Sequence, residues 1–161
     1  MLQLKPPTDF KAVLKPERRS VFLCGSIEMG KATDWQMTFT EALYGFNNVV
    51  ILNPRRDNWD ASWEQSIENP IFHEQVQWEL SALEASDLIV VYFQPGTQSP
   101  ITLFELGFFA SEAPEKLIVC CPDGFWRKGN VDIVCHRYGI EQASDINELT
   151  EKAKKRLLSA H

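Results

Sequence analysis

The stretch LIVVYF, residues 88–93, decides the fold that this sequence predicts. It is a short apolar run rich in β-branched residues, and it ends at the turn-forming sequence QPG, residues 94–96. A run of this kind predicts a buried strand. Similar runs occupy Val21–Cys24, Val49–Leu52 and Leu117–Cys121, and a weaker strand is expected to begin at Ile140. Because none of the strong runs alternates polar with apolar residues, they favour a parallel sheet covered on both faces.

Helical segments are predicted between the strands, at residues 33–44, 71–84, 101–113, 129–138 and 146–158. The first begins with a capping box, Thr33 with Gln36. Strands that alternate with helices at this spacing predict βαβ units. We therefore expect an α/β fold in residues 19–161, a single doubly wound parallel sheet of about five strands, flavodoxin-like or Rossmann-like. Residues 1–18, which include three prolines, are expected to form an irregular arm.

Composition argues against several classes of function. The 161 residues carry a formal net charge of −6 and only small groups of Lys and Arg, which argues against a nucleic-acid partner. No apolar stretch approaches the length of a membrane span, and the N-terminus lacks the apolar core of a signal peptide. The four cysteines lack the spacing of a metal site, so they predict reduced thiols in a cytoplasmic protein.

One carboxylate is set into the apolar helix SPITLFELGFFA, residues 99–110. The faces around Glu105 are mostly apolar, which predicts a buried helix, and a buried glutamate needs a partner or a cavity that uses its charge. In the segment 71–84, helical spacing puts Glu79 in the middle of the stripe expected to face inward, which consists of Phe72, Val76, Leu80 and Leu83. Each glutamate alone could simply bind an arginine or a backbone amide. Two of them on helices adjoining one strand favour paired carboxylates, which suit chemistry at an anomeric carbon.

The loops after the strands supply further candidates, because ligands of doubly wound sheets bind beyond the carboxyl ends of the strands. Gly25 and Ser26 are expected to let a ligand approach. Ser99 is expected to cap a helix whose amides at 101 and 102 could hold a phosphate, the alternative being an ordinary cap. Asp57 is expected near a nucleobase, and Trp63 could form an aromatic wall there or cover the core or an oligomer interface.

Four stretches together resemble the nucleoside 2-deoxyribosyltransferase-like proteins. They are FLCGSIEMGKATDW (22–35), LNPRRDNWD (52–60), QVQWELSALEASDLIVVYF (75–93) and PGTQSPITLFELG (95–107), within a resemblance that covers roughly residues 20–125. Related enzymes either exchange the base of a 2′-deoxynucleoside or release the base of a deoxynucleoside 5′-monophosphate to water. The resemblance therefore implies cleavage or exchange of an N-glycosidic bond by a homo-oligomer that needs neither cofactor nor metal.

The resemblance also implies roles for individual residues. Glu105, within LFELG, holds the place of the family's nucleophile, which forms a covalent deoxyribosyl ester. Glu79 holds the place of an acidic residue, usually Asp, that assists proton transfer to the base. Ser99 stands where the transferases tend to have Asp and the monophosphate hydrolases have serine, which favours a phosphorylated substrate or leaves the sugar contacts to other groups. The alternative is a nucleotide-binding sensor or interaction module that keeps this fold and does no chemistry.

Overall fold

The computed structural model describes residues 1–28 and 32–159, and within these ranges the chain forms a six-stranded parallel sheet flanked by five helices. The strands are β1 (Leu2–Leu4), β2 (Arg19–Gly25), β3 (Val49–Leu52), β4 (Leu88–Tyr92), β5 (Leu117–Cys120) and β6 (Glu141–Ala143). The helices are α1 (Trp35–Ala42), α2 (Pro70–Ala85), α3 (Pro100–Glu112), α4 (Lys128–Tyr138) and α5 (Ile146–Ser159). Among the described residues, no helix has both the length and the apolar character needed to cross a bilayer.

The strands lie in the order β1-β3-β2-β4-β5-β6, and each neighbouring pair is parallel. Strands β2 to β6 follow the order of flavodoxin-like sheets, so the predicted fold class is confirmed. The predicted number of strands was one too low. The extra strand, Leu2–Leu4, lies inside the segment 1–18 that was expected to be irregular, and it pairs with Val50–Leu52 at the sheet edge. Leu2–Leu4 is short and lies close to Pro6 and Pro7, which favour irregular structure in a sequence-based prediction.

The helices form one layer on each face of the sheet. Side chains alternate between the faces along each strand, so Phe22 and Cys24 point to one layer while Val21 and Leu23 point to the other. The first layer contains buried residues of α2, α3 and α4, and the second contains buried residues of α1 and α5. This alternation determines that Cys24 faces helix α3.

The N-terminal segment also covers part of the first layer. Phe10 is buried and packs edge-on against Trp78 of α2, with ring centroids 5.5 Å apart. The indole N–H of Trp78 donates to the carbonyl of Thr8 at 2.8 Å. The segment before β2 therefore packs against α2 through the Phe10–Trp78 ring contact and the hydrogen bond from Trp78 to Thr8.

Helix α3 is not buried on all sides, so that expectation was wrong. Its inner face consists of Thr102, Glu105, Leu106, Phe109 and Ala110, all of them buried. Its outer face exposes a row of large apolar side chains, which are Ile101, Phe104 and Phe108. A helix in the outer layer of a three-layer fold has only one face against the sheet. Because the outer face of α3 is also apolar, the sequence pattern did not show which face is buried.

Helices α1 and α2 also differ in detail from expectation. Asp34, rather than the box Thr33 with Gln36, caps α1, because its carboxylate accepts from the Met37 amide at 3.0 Å. The most buried residues of α2 are Gln75, Trp78, Ala82 and Leu83. The inward face of α2 is therefore rotated relative to the predicted inward stripe. Of the four residues predicted for that stripe, only Leu83 is among the most buried.

Candidate active site

The candidate site lies where the direction of strand addition reverses. Strand β3 lies on one side of β2 and β4 lies on the other, so the carboxyl ends of β2 and β4 border a topological switch point. Gly25, at the end of β2, is in register with Tyr92 at the end of β4. Helix α3 follows β4 and carries Glu105 on the face that it turns toward β2.

Glu105 is 9% exposed and is hydrogen-bonded to a buried thiol. The Sγ of Cys24 lies 3.2 Å from Oε2 of Glu105. Burial, followed by the charge and hydrogen bond of Glu105, holds the pKa of Cys24 well above its ordinary value. The thiol is therefore protonated at neutral pH and donates to the carboxylate.

The two predicted carboxyl groups interact. Burial, and after it the charge of Glu79, raise the pKa of Glu105, the Cys24 thiol lowers it, and the net value is about 8. Burial also raises the pKa of Glu79 to about 7, although a hydrogen bond from Gln75 lowers it. Two coupled carboxyl groups that titrate near neutrality can share a proton, which is the arrangement that acid–base and nucleophilic chemistry needs.

Gln75 fixes the position of Glu79 from one helical turn away. Its Nε2 donates to Glu79 Oε1 at 2.7 Å and to the Pro54 carbonyl at 3.0 Å, while its Oε1 accepts from Arg56 at 3.5 Å. The amide has acceptors on its nitrogen side and a donor on its oxygen side, so its orientation is determined by its partners. The loop after β3 is thereby connected to Glu79 through Gln75.

Three hydroxyl groups form a buried cluster beside the switch point. Ser26 Oγ lies 2.6 Å from Ser99 Oγ and 2.9 Å from Thr97 Oγ1, and the latter two are 2.9 Å apart. Ser99 does precede the first helical residue, but the expectation of a side-chain cap was wrong, because its hydroxyl serves this cluster instead. Ser99 has φ 44°, a left-handed conformation that is uncommon for a residue with a side chain.

A fourth side chain joins the start of α3 to the loop after β2. Oε1 of Glu28 accepts the backbone N–H of Gln98 at 2.9 Å and that of Ser99 at 2.7 Å. Glu28 also has a positive φ, 47°. Within the described ranges, Glu28 and Ser99 are the two non-glycine residues in this region of backbone space, and both lie at this site. Clustered backbone strain is typical of functional sites.

Gly25 has no room for a side chain between its protein neighbours. A Cβ atom at this position would lie 2.5 Å from the carbonyl oxygen of Tyr92 and 2.7 Å from the Trp35 ring. The absent side chain therefore accommodates Tyr92 and Trp35, and the expected approach of a ligand at Gly25 stays a prediction.

Two candidates from the β3–α2 loop have different surroundings. The side chain of Asp57 is 82% exposed and forms an ion pair with Lys5 at 2.5 Å, so its carboxylate faces solvent. The ring of Trp63 lies 5.3 Å from the guanidinium of Arg56 and 5.2 Å from the ring of Trp59. Because Arg56 also contacts Gln75, the aromatic pair is linked to the site through Arg56, whereas Asp57 is held at the surface.

Sequence reasoning did not single out four residues that the structure places here. Cys24 was interpreted only as a structural thiol, although it directly precedes GSIEMG at the end of a strand. Gln75 lies four positions before Glu79, which is the spacing of side-chain pairs on a helix. Glu28 and Thr97 lie in loops that were selected, but the contacts of Glu28 with Gln98 and Ser99 and of Thr97 with Ser26 join residues about seventy positions apart, and only the fold brings them together.

Residues 18–125 match the family described as nucleoside 2-deoxyribosyltransferase like. The matched region begins just before β2 and ends beyond β5, so it includes both carboxylates, the hydroxyl cluster and Glu28. No curated protein matches the chain.

Proposed function

The chain belongs to the nucleoside 2-deoxyribosyltransferase-like family, and on that premise we propose that it cleaves or exchanges the N-glycosidic bond of a 2′-deoxynucleoside or its 5′-monophosphate. The observation that carries the proposal is the pair of coupled carboxyl groups, Glu105 and Glu79, whose pKa values are raised to about 8 and about 7.

In the proposed first step, an ionised Glu105 oxygen attacks the anomeric carbon of the deoxyribose. The bond from that carbon to the base breaks, and its electron pair leaves with the base, which receives a proton from Glu79. The products are the free base and a deoxyribosyl ester of Glu105. A negative charge beside the anomeric carbon stabilises the oxocarbenium-like transition state of such a reaction.

In the proposed second step, water or a second base attacks the same carbon and loses a proton to Glu79. The ester bond breaks and Glu105 leaves as a carboxylate, so both groups return to their starting forms. The reactive form of the pair contains one proton, which resides on Glu79. The pKa of about 8 for Glu105 already includes the effect of the Cys24 thiol and lies above the pKa of about 7 for Glu79, so this reactive distribution is the less populated form of the singly protonated pair.

The surroundings of the pair support binding of a nucleoside. The hydroxyls of Ser26, Thr97 and Ser99 can contact sugar oxygens, because each can donate or accept. On the other side, Gln75 links Glu79 to Arg56 and so to Trp63, which supports a place for the base near the aromatic pair.

The test is release of free base from a panel of deoxynucleosides and their 5′-monophosphates, with and without a second base. Glu105→Gln removes the nucleophile and should abolish release. Glu112→Gln is the matched control, since Glu112 is an exposed residue on the same helix. Glu79→Gln should reduce kcat/KM by about 10²–10⁴-fold, the usual size of acid–base catalysis.

Three results would count against the proposal. Release that persists in Glu105→Gln would show that another group is the nucleophile. Equal losses in Glu105→Gln and Glu112→Gln would point to a structural effect. Binding of nucleotides without release from any member of the panel would favour the sensor. Dependence of release on the second base would distinguish a transferase from a hydrolase.

A further inference from the structure

The side-chain amide of Gln75 is fully engaged by protein partners. Gln75 is 2% exposed, and its Nε2 donates one hydrogen to the Pro54 carbonyl at 3.0 Å and the other to Glu79 Oε1 at 2.7 Å. Its Oε1 accepts from Arg56 at 3.5 Å. A flipped amide would set its oxygen against two acceptors and its nitrogen against a guanidinium, which has only donors. Gln75 therefore presents an N–H group to Glu79.

The loop after β3 holds both ends of this amide. Its Pro54 carbonyl accepts from the amide nitrogen, and its Arg56 donates to the amide oxygen. Only 9% of the Arg56 side chain is exposed. Its Nε donates to Asn58 Oδ1 at 3.0 Å, and its guanidinium lies 5.3 Å from the centre of the Trp63 ring. The donor to Gln75 is therefore itself held in place by contacts within the loop.

The two carboxylate oxygens of Glu79 have different surroundings. Oε1 accepts from Gln75, whereas Oε2 has no hydrogen-bond partner within residues 1–28 and 32–159. The Glu79 side chain is only partly buried, so a ligand can approach the oxygen that lacks a partner. In a protonated carboxyl group, the oxygen without the hydrogen is the better acceptor. The hydrogen bond from Gln75 is therefore strongest when the hydrogen of Glu79 lies on Oε2.

We propose that Gln75 is a positioning residue that directs the proton of Glu79 to Oε2, from which it passes to the leaving base. The inference rests on the proposed function and adds a residue to its acid–base step. When the glycosidic bond breaks, the base keeps the electron pair of that bond and takes the hydrogen from Oε2. Glu79 becomes a carboxylate whose Oε1 still accepts from Gln75. In the second step, the attacking water or base returns a proton to Oε2, and the amide of Gln75 neither gains nor loses a proton.

The first experiment varies the leaving group. Gln75→Met keeps the length of the side chain and removes its N–H groups, and Gln77→Met, at an exposed position of the same helix, is the matched control. The substrates are a deoxynucleoside and 4-nitrophenyl 2-deoxyriboside, whose phenolate departs without a proton. We expect Gln75→Met to lower kcat for the deoxynucleoside by about ten- to hundredfold, the effect of a misplaced catalytic group. The aryl substrate should lose less than about twofold, because its departure needs no acid.

Equal losses with the two substrates would show that Gln75 acts on the structure of the whole site, and would overturn the inference. So would full activity of Gln75→Met on the deoxynucleoside. A second comparison places Gln75→Met in the Glu79→Gln variant, where no further loss is expected because Gln75 acts through Glu79. Losses that multiply in the double variant would also overturn the inference.

A measurement without substrate separates this inference from the proposed reaction. The side-chain carboxyl of Glu79 is titrated by carbon-13 NMR in the unaltered chain and in both methionine variants. The groups that face Glu79 are Glu105 of α3, Cys24 of β2 and, through Gln75, Arg56. Because a donor to the carboxylate stabilises its ionised form, the midpoint should rise in Gln75→Met and stay in place in Gln77→Met.

The outcomes of this titration are distinct from those of turnover. A midpoint that stays or falls in Gln75→Met would overturn the role of Gln75, whether or not base is released. A midpoint that rises, without release of base from any substrate, would refute the reaction and support the hydrogen bond that directs the proton.

Discussion

Replacement of Glu105 by glutamine should stabilise the folded protein at alkaline pH. Glu105 is buried, and its pKa of about 8 lies well above the ordinary value of 4.5. Between these two values the folded state holds a proton that the unfolded state has released. The unfolded state therefore binds fewer protons, and the free energy of unfolding falls as the pH rises through this window. The neutral amide of the Glu105→Gln variant has no such titration.

The magnitude follows from linkage. With a pKa of about 8 in the folded state and 4.5 in the unfolded state, the titration of Glu105 lowers the free energy of unfolding by about 3 kcal/mol between pH 5.5 and pH 8.5. Glu79 adds a change of the same sign to both proteins. We therefore expect the stability of Glu105→Gln relative to the unaltered chain to increase by about 3 kcal/mol over this range.

The assay is urea denaturation at pH 5.5, 7.0 and 8.5, with each free energy extrapolated to zero urea. Glu112→Gln, on the exposed end of the same helix, should differ from the unaltered chain by a constant amount across the three values. If the Glu105→Gln difference is also constant, or if this variant is the less stable protein at pH 8.5, the ionised carboxylate is solvated or compensated by a positive charge. The reasoning that burial raises the pKa of Glu105 is then wrong.

Two further predictions concern the neighbours of Glu105. Cys24→Ala removes the thiol that lowers the pKa of Glu105, so kcat/KM along the acidic limb of its pH profile should fall by about three- to tenfold, the effect of a rise of about half a unit to one unit in that pKa, since a thiol is a weak donor. Cys135→Ala, which removes another buried thiol, should leave that limb in place; a Cys24→Ala profile that superimposes on the original would contradict the hydrogen bond. Gly25→Ala places a methyl group against Tyr92 and Trp35 and should cost about 1–3 kcal/mol of stability in urea denaturation. An unchanged urea midpoint would contradict this expectation, because it would show that β2 and β4 can move apart without loss of stability.

The sequence predicted the sheet well because buried parallel strands have a local signature. All four strong apolar runs became strands β2 to β5, and the family resemblance based on the loops between them is confirmed by the match over residues 18–125. Strand β1 was missed because Leu2–Leu4 is very short and lies close to prolines. It pairs with β3, whose residues are more than forty positions away, and such a partner has no local signature.

The site was predicted in part. Glu105 and Glu79 were identified because a charged residue within an apolar helical pattern is visible in the sequence. Their substrate-related roles and the expected homo-oligomer stay predictions. The expectation that α3 is buried was wrong because Ile101, Phe104 and Phe108 are as apolar as the inner face, so the helical period of 3.6 residues did not distinguish the exposed face from the buried one.

The sequence by itself determined the class of fold and the residue types available for chemistry, since both depend on local patterns of polarity and on short motifs. Only the tertiary structure decided which groups meet. The thiol of Cys24 reaches Glu105 because strand alternation points it at α3, and Glu28 reaches the amides of Gln98 and Ser99 because β2 and β4 lie side by side. These contacts join residues about seventy to eighty positions apart, and hydrogen bonds and pKa shifts depend on distances of a few ångströms that sequence spacing does not contain.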